Sequence, residues 1–178
     1  MTEARERQIM FKGKPVTLLG YEAKVGDKAR NFTVLDQTLS PVSLEDAPPK
    51  IRLISAVPSL DTPVCDAQTR LFNEVAAKLA DNVEIITISM DLPFAQKRWS
   101  GAAGIDRVKI YSDHRDAHFG IAFGVLIKEL RLLARAVFVV DEDGVIRYTE
   151  YVKEVTEHPD YDKVLNFVKS ISVEPKSN

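Results

Sequence analysis

Residues 51–65 read Ile51-Arg52-Leu53-Ile54-Ser55-Ala56-Val57-Pro58-Ser59-Leu60-Asp61-Thr62-Pro63-Val64-Cys65, and the fold turns on how this stretch is read. Its first half is an apolar run with β-branched members that stops at a proline, the pattern of a buried strand. Its second half is a helix start: Thr62 is an N-cap residue and Pro63 suits the first helical position. Beyond it, Val64, Leu71, Phe72, Val75 and Leu79 recur at helical spacing, predicting a helix over residues 63–80. A second strand follows at 83–90, so the unit is strand, helix, strand. Its two strands should be parallel neighbours joined by a right-handed crossover.

Working outward, residues 8–12 and 15–19 form a predicted hairpin around Gly13. Residues 32–35 read as a short strand and 36–49, with Pro41, Pro48 and Pro49, as loop. A helix is expected at 93–101, ended by Gly101, then a strand at 108–111 and a helical turn at 115–119. Residues 121–133 are apolar without a clean period and receive no element. Strands at 136–140 and 145–151 flank the turn Asp141-Glu142-Asp143-Gly144. Tyr161, Val164, Leu165, Val168 and Ile171 define a closing amphipathic helix, and 174–178 read as frayed. The order implies an α/β fold: a central mixed sheet with helices on both faces and an N-terminal hairpin.

The chain has 178 residues, 24 Lys and Arg against 26 Asp and Glu, and one cysteine. This length suits one domain over 1–178. A lone cysteine excludes an internal disulfide and any zinc site made of several thiolates of one chain. A formal charge of −2 argues against a nucleic-acid partner. No stretch approaches the roughly 18 apolar residues of a membrane span. The first residues carry charges of both signs and no apolar signal-peptide core, so the cytoplasm is the expected compartment.

A lone cysteine is most often a buried, inert one. Cys65 is placed otherwise. It lies in the first turn of a helix, where unpaired backbone N–H groups and the macrodipole favour an anion. A free thiol is only about 3% ionised at pH 7, and helix starts and cations are what lower such a pKa. Thr-x-x-Cys spacing puts the Thr62 hydroxyl and the sulfur on one side of the helix start. Asp61 and Asp66 do not help a thiolate, and Arg70 lies more than a turn away. The stabilising cation must therefore come from elsewhere in the chain.

Pro58-Ser59-Leu60-Asp61-Thr62-Pro63-Val64-Cys65 resembles the Pro-x-x-x-Thr-x-x-Cys signature of the peroxiredoxins. Asp91-Leu92-Pro93-Phe94-Ala95-Gln96, Leu133-Ala134-Arg135-Ala136-Val137 and Glu157-His158-Pro159-Asp160-Tyr161 are similar to the thiol peroxidase branch, the atypical two-cysteine peroxiredoxins. The resemblance covers nearly the whole chain and implies a thioredoxin-like fold. It implies that Cys65 is the peroxidatic nucleophile, that Thr62 hydrogen-bonds peroxide and thiolate, that Pro58 shields the sulfur from water, and that Arg135 supplies the missing cation. It implies peroxide as substrate, thioredoxin or another thiol as reductant, and a homodimer. No metal or organic cofactor is implied, because sulfur carries the two-electron chemistry. His114, His118 and His158 have no metal-ligand companions at useful spacing.

The branch carries its second, resolving cysteine in the helix after Asp91–Gln96. Here that place holds Ser100, and a hydroxyl cannot form a disulfide. Two explanations stand: a cysteine-to-serine substitution that blocks resolution, or a natural one-cysteine peroxidase. The branch pattern kept around Ser100 favours the first. A thiol-based redox sensor acting through Cys65, and an interaction module with an inert cysteine, are the alternative functions. Thr62, Cys65 and Arg135 together favour the enzyme over the module. Met90, Phe94 and Trp99 are expected to pack near the Cys65 helix.

Overall fold

The structure, a computed structural model, describes residues 4–172; the frayed end expected at 174–178 lies outside them. The predicted hairpin forms from β1 (Arg7–Phe11) and β2 (Lys14–Leu19), paired antiparallel. Next come β3 (Thr33–Leu35), β4 (Pro41–Ser43) and β5 (Ile51–Ala56). Helix α1 (Pro63–Ala76) leads to β6 (Val83–Ser89), and helix α2 (Pro93–Ala103) to β7 (Lys109–Ser112). Then follow α3 (His118–Ala122), β8 (Leu126–Ile127), β9 (Leu132–Leu133), β10 (Ala136–Val140), β11 (Ile146–Tyr151) and α4 (Tyr161–Ser172).

The central sheet has seven strands in the order β11-β10-β5-β6-β7-β3-β4. β5, β6 and β7 are parallel, and β10 runs antiparallel against β5. The sheet is therefore mixed, and the strand–helix–strand unit read from residues 51–90 sits at its middle. Alternation along these strands divides the core. Ile54, Ile86 and Phe138 face one side with Leu18, Phe119 and Phe123. Leu53, Ile85 and Val137 face the other with Phe72 of α1 and Val164 and Val168 of α4. That division is what a two-residue period dictates for strands covered on both faces.

Three local expectations are corrected. Residues 36–49 are not all loop. Asp36 Oδ1 accepts from the N–H groups of Thr38 and Ser40 and folds a tight turn with Leu39 at φ 68°, so β4 pairs back on β3. The unassigned segment 121–133 contributes β8 and β9, which extend the hairpin into a four-stranded sheet, β1-β2-β8-β9. Gly20, at φ 108°, permits this close approach: a Cβ there would lie 2.3 Å from Ile121 O. The helical turn expected at 115–119 is displaced to α3, because the buried Asp113 carboxylate binds the N–H groups of Phe119 and Gly120. Helix ends also move. α1 stops at Ala76, and α2 runs past Gly101 to end at Gly104, which takes the left-handed conformation at φ 70°. Among the described residues no helix is long and apolar enough to cross a membrane.

Candidate active site

Cys65 is the third residue of α1, directly beyond the carboxyl end of β5. The first-turn N–H groups, those of Val64 and Cys65 among them, have no carbonyl one turn earlier to bind. Thr62 occupies the N-cap position with extended backbone (φ −92°, ψ 147°), but its side chain does not cap. Its hydroxyl turns back and donates to Ser59 O at 3.1 Å. The capping role expected of Thr62 is thus replaced by a bond within the loop, which leaves the N–H groups at the helix start uncapped by a side chain.

The face that α1 buries is Cys65, Gln68, Thr69 and Phe72. It is offset from the apolar stripe of Val64, Leu71 and Val75 and is more polar. The reason is Arg135, which lies between β9 and β10 at 2% exposure. Its Nη2 donates to Cys65 Sγ at 3.1 Å, its Nη1 to Gln68 Oε1 at 2.8 Å and its Nε to Val155 O at 2.9 Å. Gln68 Nε2 in turn donates to Ser55 Oγ at 2.5 Å. A guanidinium cannot lose its proton, so its charge persists in this buried setting. Among the described residues no carboxylate forms an ion pair with Arg135. The group positioned to balance it is the sulfur. Arg70, more than a turn from Cys65, is exposed and paired to Asp66 at 2.9 Å.

Pro58 is buried at the end of β5. Ser59 and Leu60 beyond it are held by Asp91, whose carboxylate accepts from Ser59 Oγ and Leu60 N. Cys65 itself has 0% exposure, so a substrate reaches the sulfur only when a neighbouring group shifts. Tyr161, first residue of α4, stacks edge-on against Phe72 and shares a 2.6 Å hydrogen bond with His158 Nδ1. Burial pushes its hydroxyl up to about 12; the Arg135 charge opposes this and that of Cys65 adds to it, which places Tyr161 within electrostatic range of the site.

Ser100 forms no hydrogen bond with Cys65. It sits in α2 at 8% exposure, donating to Lys97 O at 3.2 Å and accepting from Gln37 Nε2 at 3.1 Å. Trp99 packs against the cluster that contains Cys65, and Met90 against the opposite cluster. Phe94, expected to pack, is 66% exposed. Gln68, Asp91 and Tyr161 were assigned no role in the sequence. Gln68 was legible: it is polar, three residues after Cys65, and so on its face of the helix. The carbonyl of Val155 carries no sequence signal at all.

A buried cysteine at a helix start, bonded to a buried arginine on a thioredoxin-like sheet, defines a thiol-based redox protein. Comparison with known proteins makes this specific. The family profile "Redoxin" matches residues 24–165. The chain is 62% identical over 162 residues to the thiol peroxidase of Halalkalibacterium halodurans, covering 91% of this chain and 97% of that one. It is 61% identical over 164 residues to the thiol peroxidase of Bacillus subtilis, covering 92% and 98%. A crystal structure of a peroxiredoxin-like protein from Aquifex aeolicus superposes with a TM-score of 0.87 at 42% identity, over 95% of this chain and 99% of that one. A thiol peroxidase from Chromobacterium violaceum shares the fold with a TM-score of 0.81 at 18% identity, over 92% and 95%. The chain belongs to the redoxin family and, within it, to the thiol peroxidases.

Proposed function

We propose that this protein, a single domain over residues 1–178, reduces hydrogen peroxide and organic hydroperoxides with the Cys65 thiolate as nucleophile. The observation that supports this reading is the 3.1 Å bond from Arg135 Nη2 to Cys65 Sγ, with no carboxylate paired to Arg135 among the described residues. The thiolate attacks the terminal oxygen of RO–OH. The S–O bond forms as the O–O bond breaks, and the departing RO⁻ takes up a proton and leaves as alcohol or water. Cys65 becomes a sulfenic acid, the first reversible stage of thiol oxidation.

Negative charge develops along the O–O bond in the transition state. Arg135 and the first-turn N–H groups are preorganised donors for it. The Thr62 hydroxyl has committed its single proton to Ser59 O, so it offers lone pairs and accepts from the peroxide O–H. Pro58 shields the sulfur from bulk water. The sulfenic acid is then reduced by an external thiol, with thioredoxin as the reductant of the form carrying a cysteine at position 100. The protein works in the cytoplasm as a homodimer. In this reading Ser100 stands where the resolving thiol belongs.

The test is the second-order rate constant for oxidation of Cys65 by hydrogen peroxide. A value well above that of free cysteine is expected, and Cys65→Ser should abolish peroxide reduction. A rate no greater than free cysteine would overturn both the peroxidase and the sensor readings. Ser100→Cys should create an internal disulfide after peroxide treatment and raise turnover with thioredoxin. Unchanged turnover would favour a natural one-cysteine enzyme.

A further inference from the structure

Asp91 lies between β6 and α2, and its carboxylate gathers three donors. Oδ1 accepts from Ser59 Oγ at 2.7 Å; Oδ2 accepts from Leu60 N at 2.9 Å and from Ser89 Oγ at 2.7 Å. Two of these three donors belong to the loop between β5 and α1. Ser59 passes the constraint on. Its hydroxyl accepts from Asp61 N at 3.2 Å, and its carbonyl accepts from both Thr62 N at 3.2 Å and Thr62 Oγ1 at 3.1 Å. A continuous run of hydrogen bonds thus leads from Asp91 through Ser59 to the Thr62 hydroxyl.

The residue type is informative. Among the described residues Asp91 forms no ion pair, so its charge is not used to hold a cation. What aspartate supplies, and asparagine does not, is acceptor capacity on both side-chain oxygens. The donors use both, and bonds to an ionised acceptor are roughly twice as strong as neutral ones.

We propose that Asp91 is a positioning residue for the peroxide step. It fixes the 59–62 loop so that the Thr62 hydroxyl is bound to Ser59 O and turns its lone pairs to the substrate. This rests on the peroxidase reading of Cys65. Asp91 touches neither the sulfur nor the substrate and acts through Ser59.

The experiment compares the parent with Asp91→Ala, Asp91→Asn, Ser59→Ala and the Asp91→Ala/Ser59→Ala double variant. Oxidation by hydrogen peroxide is followed in stopped flow, and alkylation by iodoacetamide in parallel. Alkylation needs the thiolate and access to it, but not the Thr62 geometry. Asp91→Ala should lower the peroxide rate constant by about 10- to 100-fold, the usual scale for a displaced reacting group. Alkylation should change by less than about threefold, and the double variant should be no slower than Asp91→Ala alone, as expected for residues acting as a unit. Peroxide and alkylation rates falling in step, or a peroxide rate within about twofold of the parent, would overturn the proposal. If Asp91→Ala does not fold, Asp91→Asn decides on the same criteria, because it keeps the shape and loses one acceptor. A parent no faster than free cysteine would overturn the peroxidase reading and this proposal with it. A fast parent with an equally fast Asp91→Asn would overturn only the proposal.

Discussion

Two buried arginines meet the same physical problem in opposite ways. Arg52, on β5, is 5% exposed, and Arg135, before β10, is 2% exposed. Neither can discharge itself by losing a proton. Arg52 has a carboxylate: its Nε binds Glu84 Oε2 at 3.0 Å, Lys109 binds the other oxygen at 2.5 Å, and Nη1 and Nη2 of Arg52 donate to the carbonyls of Lys50 and Pro48. Burial pushes Glu84 up, but Lys109 and Arg52 outweigh it and hold the carboxyl below its ordinary value. Arg135 has only neutral acceptors, Gln68 Oε1 and Val155 O, and the sulfur of Cys65. One arginine is paired with a carboxylate; the other places its positive charge beside a thiol.

Asp113 completes the contrast. It is a carboxylate at 2% exposure, without an ion-pair partner among the described residues, binding two backbone N–H groups. Unlike arginine it can neutralise itself. Burial, opposed by the bonds from Gly120 and Phe119, raises its pKa to about 6.

The largest effect should follow Arg135→Ala, which removes a donor to developing charge. The peroxide rate constant should fall about 100- to 1,000-fold, measured by stopped flow on protein shown to be folded. A loss smaller than about tenfold would make Arg135 a second Arg52.

Arg52→Ala should do the reverse. It leaves Glu84 buried with Lys109 alone and should cost about 3–4 kcal/mol of stability in a urea titration. The peroxide rate per folded molecule should be unchanged.

Asp113 should give the smallest effect. Its folded pKa lies above that of an unfolded aspartate. The stability it contributes is therefore present below pH 3.8 and is lost as pH rises through about 6. Between pH 4 and 7 the parent should lose on the order of 2 kcal/mol relative to Asp113→Asn. Parallel pH profiles would show that folding does not raise the Asp113 pKa.

How much of this was legible varies with the range of the interaction concerned. The parallel pair β5 and β6 follows from apolar runs on either side of a helical period, and the hairpin β1–β2 from two short runs around Gly13. Those are local patterns. β8 and β9, two residues each, have no period to read; they exist because β2 offers them an edge. β4 depended on the Asp36 turn, and α3 on where the Asp113 carboxylate points. At the site, Thr62 and Cys65 share a turn and were found by spacing. Arg135 follows from the resemblance alone, whereas Gln68 can be read from the helix face it shares with Cys65.

The sequence alone determined which residue could be the nucleophile, because there is one cysteine and its neighbours Thr62 and Pro63 mark a helix start. It also determined that this helix follows a buried strand. What surrounds the sulfur is set by contacts far apart in the chain. Arg135 is 70 residues away in the chain, and Val155, another of its partners, is 20 residues further. Local propensities act over a turn or a strand, whereas a buried charge must find its partners wherever folding brings donors and acceptors together. That is why the thiol could be located from 15 consecutive residues, while its arginine partner is set beside it only when β5, α1 and β10 are packed against one another.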